Sequence, residues 1–343
     1  MTGTDVSVSV PGCVTLGGSH ALVTNGPIVS SAIDSRLRIR VERTDGDGVG
    51  IDSPFGGQLF QTSALLGSGS PQGTPEGAEI AVGKGGRTVS GWAVLSSIFD
   101  ALGCTADEVA GLRFHIERAD AFPLGVGLSS SSALVVGCLA ATAALGERKL
   151  SRFEIAESTA DIEEALWEHP HPVHPYAIAQ GGTVHSVEPA DPIRLTAPLL
   201  IGLPKTSRSR DAVAERCRTS GSRFGSRYDR IVDFANECTD AIAAAARAGD
   251  RQRVREELAF AGGLDEALGV LSPQSRTVRA RMLSQINTVG VKQSDVGPRA
   301  IVMALLSDPG DALDVKRLLS QIGVETIETE LSAEGLRYVD VPA

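Results

Sequence analysis

The stretch Pro123-Leu124-Gly125-Val126-Gly127-Leu128-Ser129-Ser130-Ser131-Ser132-Ala133, running into the apolar segment 134–146, decides how this chain is read. A glycine-rich turn that feeds directly into a helix makes an anion site. The N–H groups of the first turn have no partner within the helix, and the helix dipole adds partial positive charge beside them. Gly125 and Gly127 give the turn its freedom, and Ser129, Ser130, Ser131 and Ser132 supply hydroxyls for phosphate oxygens or a metal ion. Taken alone, the same residues also suit a Ser/Gly cap on an ordinary core helix, because an isolated glycine motif is weak.

The rest of the chain sets the bounds. Its 343 residues suffice for two lobes, and 42% hydrophobic with 22% charged residues reads as soluble and globular. The net charge of −10 is spread without a basic stripe, so neither nucleic acid nor an anionic membrane is an expected partner. An anionic substrate must therefore be held by local groups. Cys13, Cys104, Cys138, Cys217 and Cys238 are scattered, odd in number and without a C-x-x-C pair, which points to a reducing, cytoplasmic setting. Neither a signal peptide nor a membrane span is expected.

Periodicity predicts strands over 6–10, ended by Pro11-Gly12, and over 28–41. Residues 44–87, rich in Gly, Ser and Pro, read as hairpin tips and a long surface loop. A helix over 92–102 and a strand over 113–117 precede the serine loop. Ser151-Arg152-Phe153-Glu154 is a capping box for a helix to about Trp167. His169-Pro170-His171-Pro172-Val173-His174-Pro175 reads as non-helical, because prolines remove donors and restrict their predecessors. Further on come a strand over 199–203, helices over 227–247, 254–268 and 274–286, and a final strand, helix, strand, strand over 300–306, 312–322, 325–331 and 336–341. A lobe boundary is expected near 185–200, where Pro189 and Pro192 lie, giving lobes 1–190 and 191–343.

Three segments in order carry a resemblance. Pro11-Gly12-Cys13-Val14-Thr15-Leu16-Gly17-Gly18-Ser19-His20-Ala21 resembles P-G-K-x-x-L-x-G-E-H-A, and 123–133 resembles P-x-G-x-G-L-G-S-S-A-A. Gly290-Val291-Lys292-Gln293-Ser294-Asp295-Val296-Gly297-Pro298 sits where G-A-K-x-[ST]-G-A-G-G-G would lie. These are the motifs of the GHMP superfamily of small-molecule kinases, and the chain looks most like its archaeal mevalonate-kinase branch. Segments 264–273 and 325–338 read the same way. The resemblance implies an α+β, two-lobe GHMP-kinase fold: a ribosomal-S5-like N-terminal lobe, a ferredoxin-like C-terminal lobe and an active site between them.

The departures bear on chemistry. Where the family has a lysine that stabilises phosphate charge, this chain has Cys13; where it has a motif glutamate, Ser19. The family's catalytic aspartate lies in a segment that here reads His171-Pro172-Val173-His174-Pro175-Tyr176 and ends Gly181-Gly182, which puts His174 in its place. Ser129 replaces the phosphate loop's central glycine, where a side chain intrudes on close approach, and Asp295, Pro298 and Arg299 replace glycines of the third motif. Phosphoryl transfer depends on positioned, charge-neutralising groups, and losing one costs a factor of about 10² or more. Ordinary kinase chemistry is therefore not expected.

The family geometry would set Cys13 against His174, so that a lysine–aspartate pair becomes a cysteine–histidine pair able to do nucleophilic or acid–base work on a small carboxylate or phosphate. Ser19 would share the catalytic floor with them. His20, Gly125, Gly127 and Ser129 to Ser132 would hold the anion. No cofactor or metal is otherwise implied; ATP and Mg²⁺ belong only to the alternative of a divergent kinase, and a catalytically silent metabolite-binding or regulatory protein is a further alternative. Bland readings stand beside these: Cys13 as a small buried hydrophobe, His174 as a loop histidine, and Cys104, Cys138, Cys217 and Cys238 as packing residues. His169, His171 and His174 as metal ligands, Glu163 and Glu164 as a metal carboxylate, and Lys205, Arg208 and Arg210 as a phosphate contact stay open. A homodimer is also left open.

Overall fold

The computed structural model describes residues 5–53, 56–66, 79–82, 88–118, 122, 126–167, 170–205, 210–285, 290–294 and 300–339. The chain opens with β1 (Asp5–Gly17), α1 (Ala21–Thr24), β2 (Val29–Arg43), β3 (Gly48–Ser53), β4 (Gly56–Gln61), α2 (Thr62–Leu65), β5 (Glu79–Val82) and β6 (Thr88–Ser90). It continues with α3 (Gly91–Leu102), α4 (Ala106–Val109), β7 (Leu112–Arg118), α5 (Ser130–Leu145), α6 (Arg152–Leu166), α7 (His174–Gln180), β8 (Thr183–His185) and β9 (Ala197–Leu203). The remainder is α8 (Arg210–Phe224), α9 (Ser226–Arg247), α10 (Arg251–Ala267), α11 (Pro273–Leu283), β10 (Val291–Ser294), β11 (Ile301–Leu305), a 3₁₀ turn (Pro309–Asp311), α12 (Ala312–Ser320), β12 (Glu325–Leu331) and β13 (Arg337–Val339).

β2 is the spine of the sheet. It pairs antiparallel with β1 along one edge and with β8, β12 and β7 in turn along the other. The ladder runs β10-β11-β9-β12-β2-β7-β3-β4, so one sheet joins elements from both halves of the chain. The last strand, β13, returns to β1 with Ser7 opposite Val339. Against the β1–β2 face lies α5, buried nearly all round; Gly137 lets it sit so close that a Cβ there would lie 2.4 Å from Ile39 Cδ1. One apolar core runs from Val8 through Leu139 to Leu331, and a second packs Val278, Met282 and Leu319 against Leu200 and Val302.

Local signals are met where the chain alone decides the conformation. The Ser151–Glu154 capping box forms in both directions and opens α6. Several expectations give way to tertiary context. Pro11-Gly12 does not end the first strand: β1 continues to Gly17 through a register shift between those residues, where the proline's missing N–H is tolerated. Gly12 is needed there, because a Cβ would meet the Phe122 ring at 2.8 Å. Within 44–87 the expected loop contains β3, β4, α2 and β5, with Val49, Ile51, Phe60 and Leu65 in the core; residues 54–55, 67–78 and 83–87 lie outside the described residues. His174-Pro175 is not excluded from helix but opens α7, since a proline in the first turn has no hydrogen bond to lose. α8, whose apolar face reduces to Val213 and Cys217 with little else, was not expected, and α11 ends at Leu283 rather than at 286.

α7 is fixed at its far end by Gly181, at φ +86°, where an added Cβ would lie 2.2 Å from Gly335 N. Gly181→Ala is expected to lower stability by at least about 2 kcal/mol. An unchanged urea midpoint would show that the close approach of these two backbones is not what seats α7.

Candidate active site

β1 brings Cys13 and Thr15 to one face of the strand, then Gly18 turns the chain sharply at φ +78° and delivers Ser19 and His20. Thr15 N–H donates to Ser294 Oγ at 2.7 Å, stitching β1 to the end of β10. Around Thr15 the side chains of α7 and of the start of α5 converge. Thr15 Oγ1 lies 3.2 Å from His174 Nε2, 3.3 Å from His171 Nε2 and 3.4 Å from Ser30 Oγ. The two imidazoles stack with centroids 3.3 Å apart and planes 4° from parallel. His174 Nδ1 lies 2.8 Å from Ser129 Oγ, and Ser129 Oγ is also 3.2 Å from the Cys13 carbonyl oxygen.

Ser129 caps α5 in the left-handed region at φ 58°, a conformation that costs a serine free energy. The side chain expected to intrude on a glycine's place instead points to His174 and Cys13 O. The side chains of Ser129 and His174 thus meet at that hydroxyl, and Cys13 takes part through its carbonyl oxygen, which accepts from Ser129. The Cys13 sulfur itself is fully buried, 3.9 Å from Val14 O, whereas Ser129 is partly exposed.

Just past the end of β1, a second cluster is built around the buried Lys292 and Asp265. Lys292 Nζ forms an ion pair with Asp265 Oδ2 at 2.8 Å and donates to Ser19 Oγ and, at 2.8 Å, to Gln293 O. Ser19 Oγ also donates to Gln293 O at 3.1 Å. His20 Nδ1 is 3.5 Å from Asp265 Oδ1, and its Nε2 is 3.0 Å from Asn236 Oδ1. Burial pushes the Asp265 carboxyl upward, but the Lys292 charge and the His20 contact outweigh it and hold the group below the usual carboxylate range. Ser19 and His20 therefore sit in this locked cluster rather than in the hydroxyl group around Ser129.

Other expected residues separate as follows. Gly127 (φ 86°) and Ser130 to Ser132 lie at the start of α5; Gly125, His169, Arg208, Asp295, Pro298 and Arg299 lie outside the described residues. Cys138, Cys217 and Cys238 are buried, and burial raises the Cys138 thiol to about 12 and Cys238 to about 11. Glu163 is buried and Glu164 exposed on α6, while Lys205 is exposed and Arg210 opens α8. Four participants escaped the sequence reading. Thr15 stands two residues from Cys13, so strand periodicity could have placed it on the same face. Lys292 is in the third motif. Asp265 and Asn236 gave no local signal.

Residues 92–182 match the model of the GHMP kinases N terminal domain. A mevalonate kinase of Pyrococcus abyssi is 25% identical over 349 residues, covering 98% of each chain. The crystal structure of the Methanococcus jannaschii mevalonate kinase superposes with TM-score 0.76 at 15% identity, covering 96% of this chain and 99% of that one. An L. major mevalonate kinase in complex with R-mevalonate superposes at TM-score 0.70 and 16% identity, over 95% of this chain and 96% of its own. Residues 92–182 thus resemble the N-terminal domain of GHMP kinases, the chain is similar over nearly its whole length to archaeal mevalonate kinases, and it has the two-lobe α+β fold of the solved GHMP kinases. Among the described residues no helix is long and apolar enough to cross a membrane.

Lys292→Ala leaves Asp265 buried and uncompensated and is expected to cost about 3–5 kcal/mol in urea unfolding; a loss under 1 kcal/mol would remove the pair from its structural role. Because the folded carboxyl is lowered, its stabilisation is complete above the ordinary value near pH 4 and is lost as pH falls through the lowered one. Asp265→Asn should therefore be less stable than wild type at pH 7 yet lose less on going to pH 3. Parallel pH profiles would contradict the assignment.

Proposed function

We propose that this GHMP-superfamily chain binds a small anionic metabolite at the start of α5 and acts on it through acid–base or nucleophilic chemistry built on His174 and Cys13, in place of ATP-dependent phosphoryl transfer. The observation that supports it is the setting of His174. An imidazole stands where the resemblance puts the family's aspartate, and Ser129 and Thr15 hold its two ring nitrogens. The first-turn N–H groups and the dipole of the 16-residue α5 favour a carboxylate or phosphate beside it. R-mevalonate, the ligand of the L. major relative, is a metabolite of this class. The lobes carrying the two sides of the site are proposed as 1–190 and 191–343.

The described donor set does not suit the Mg²⁺ of a kinase. Near the cleft it offers serine and threonine hydroxyls and imidazoles; the carboxylate within the cluster, Asp265, is 1% exposed and paired with Lys292. Mg²⁺ is ordinarily held by one or two carboxylates with waters and phosphate, a set these residues do not supply. The full-length similarity to mevalonate kinases favours the alternative, phosphorylation of a mevalonate-like alcohol with MgATP.

Wild-type protein with MgATP and R-mevalonate is expected to release no ADP above background, while R-mevalonate or inorganic phosphate raises Tm. His174→Ala or Cys13→Ala should abolish turnover of whatever acid the protein accepts. ADP release at rates typical of kinases, about 1–100 per second, would overturn this reading, and full turnover in both variants would remove the pair from the chemistry.

A further inference from the structure

We infer that the chain pairs with a second copy of itself through α9, laid antiparallel along the partner's α9 about a two-fold axis level with Val232. The inference stands on the outer face of this helix and is independent of the chemistry assigned to the candidate active site.

α9 has two faces. Tyr228, Ala235, Thr239, Ile242 and Ala246 turn inward. Arg227, Arg230, Phe234, Glu237, Ala241 and Ala244 run along the outside at alternating spacings of three and four, all exposed except the partly buried Ala241. That spacing is the seam of a two-stranded coil, which keeps facing a neighbouring helix over several turns. An outer face that met only water would be polar throughout. Here a phenyl ring and two alanines stand in it. Phe234 and Phe260 of α10 are each half-exposed and pack edge to face, with centroids 5.9 Å apart and planes at 65°. Among the described residues, the exposed phenylalanines are these two and Phe224, at the end of α8. Ring surface gathered in this way marks an interaction site.

Charge along the seam decides what covers it. The end at the α8–α9 corner is basic: Arg223, over the Phe224 ring, Arg227 and Arg230 are exposed there, and Arg230 Nε is held along the helix by Ser226 O. The other end is acidic, where Glu237 joins Glu256 and Glu257 of α10 in lining a cleft beside the two rings. Arg253 in that cleft is already engaged by Glu256 and Glu257. Among the described residues, neither Arg227 nor Glu237 has an ion-pair partner within the chain. Asp229, Asp233 and Asp240 form a separate stripe turned roughly 90° away, where Asp240 meets His185.

A seam that is basic at one end, aromatic in the middle and acidic at the other is complementary to itself run backwards. Arg227 and Glu237 each lie five residues from Val232, and Arg230 and Phe234 each lie two. One antiparallel alignment therefore satisfies both pairs. Arg227 faces the partner's Glu237, and Arg230 lies against the partner's Phe234 ring, each contact occurring twice by symmetry. Packed helices sit about 8–10 Å apart, a gap that an arginine and a glutamate close together. Ala241 and Ala244 leave room where the partner's α8–α9 corner arrives. Parallel pairing would set arginine against arginine and glutamate against glutamate, so it is disfavoured.

Sedimentation equilibrium of the full chain in low salt, over a concentration series reaching about 100 μM, tests this. Wild type should approach twice the chain mass. Glu237→Arg and Arg227→Glu should each raise the dimer Kd at least about tenfold, with the Tm of the dilute protein unchanged because both side chains are exposed. The double variant R227E/E237R restores the pairs in reverse and should bring Kd back to within about threefold of wild type. A wild type that stays monomeric, single variants that dimerise as wild type does, or a double variant no better than the singles overturns the inference.

Discussion

The Lys292–Asp265 pair holds the two halves of the molecule in register. Lys292 is on β10 and Asp265 on α10, yet both close on Ser19 and His20, which follow the first strand. An ion pair this deep is weak evidence of net stabilisation, because removing two charges from water costs about as much as their attraction returns. Its effect is on position. With neither charge able to tolerate losing the other, Ser19 and β10 are fixed against each other, and Thr15 is fixed with them through Ser294. The hydroxyl at the centre of the histidine group inherits that rigidity.

What the sequence disclosed depended on how locally each feature is determined. The Ser151–Glu154 box closes within one turn, so four residues suffice to read it. The helix after the serine loop was legible for the same reason, and three motifs in order carried the fold. Asp265 is another matter. It sits in a helix with Glu266 beside it and exposed charges around it, and only the approach of Lys292 from 27 positions onward decides that it is buried. The short strands between 48 and 61 were hidden because two glycines and a few apolar residues per strand make no period worth reading. Pro175 misled in the opposite direction: a helix-breaking residue in general, it is harmless in a first turn.

The candidate chemistry follows from where positive charge has gone. In the family pattern a lysine stands at the place of Cys13, facing the substrate. Here, among the described residues, the cation of this region is Lys292, sealed at 0% exposure and paired with Asp265. Among the described residues, a chain with net charge −10 has at this place the short-range attraction of the N-terminal dipole of α5 for an anion. That dipole points to the few ångströms around Ser129. A phosphoryl group in flight spreads its charge over three oxygens and calls for several cations. A single oxyanion forming on one carbon needs two or three N–H donors in a fixed place, which is what a first helical turn beside a hydrogen-bonded imidazole can offer.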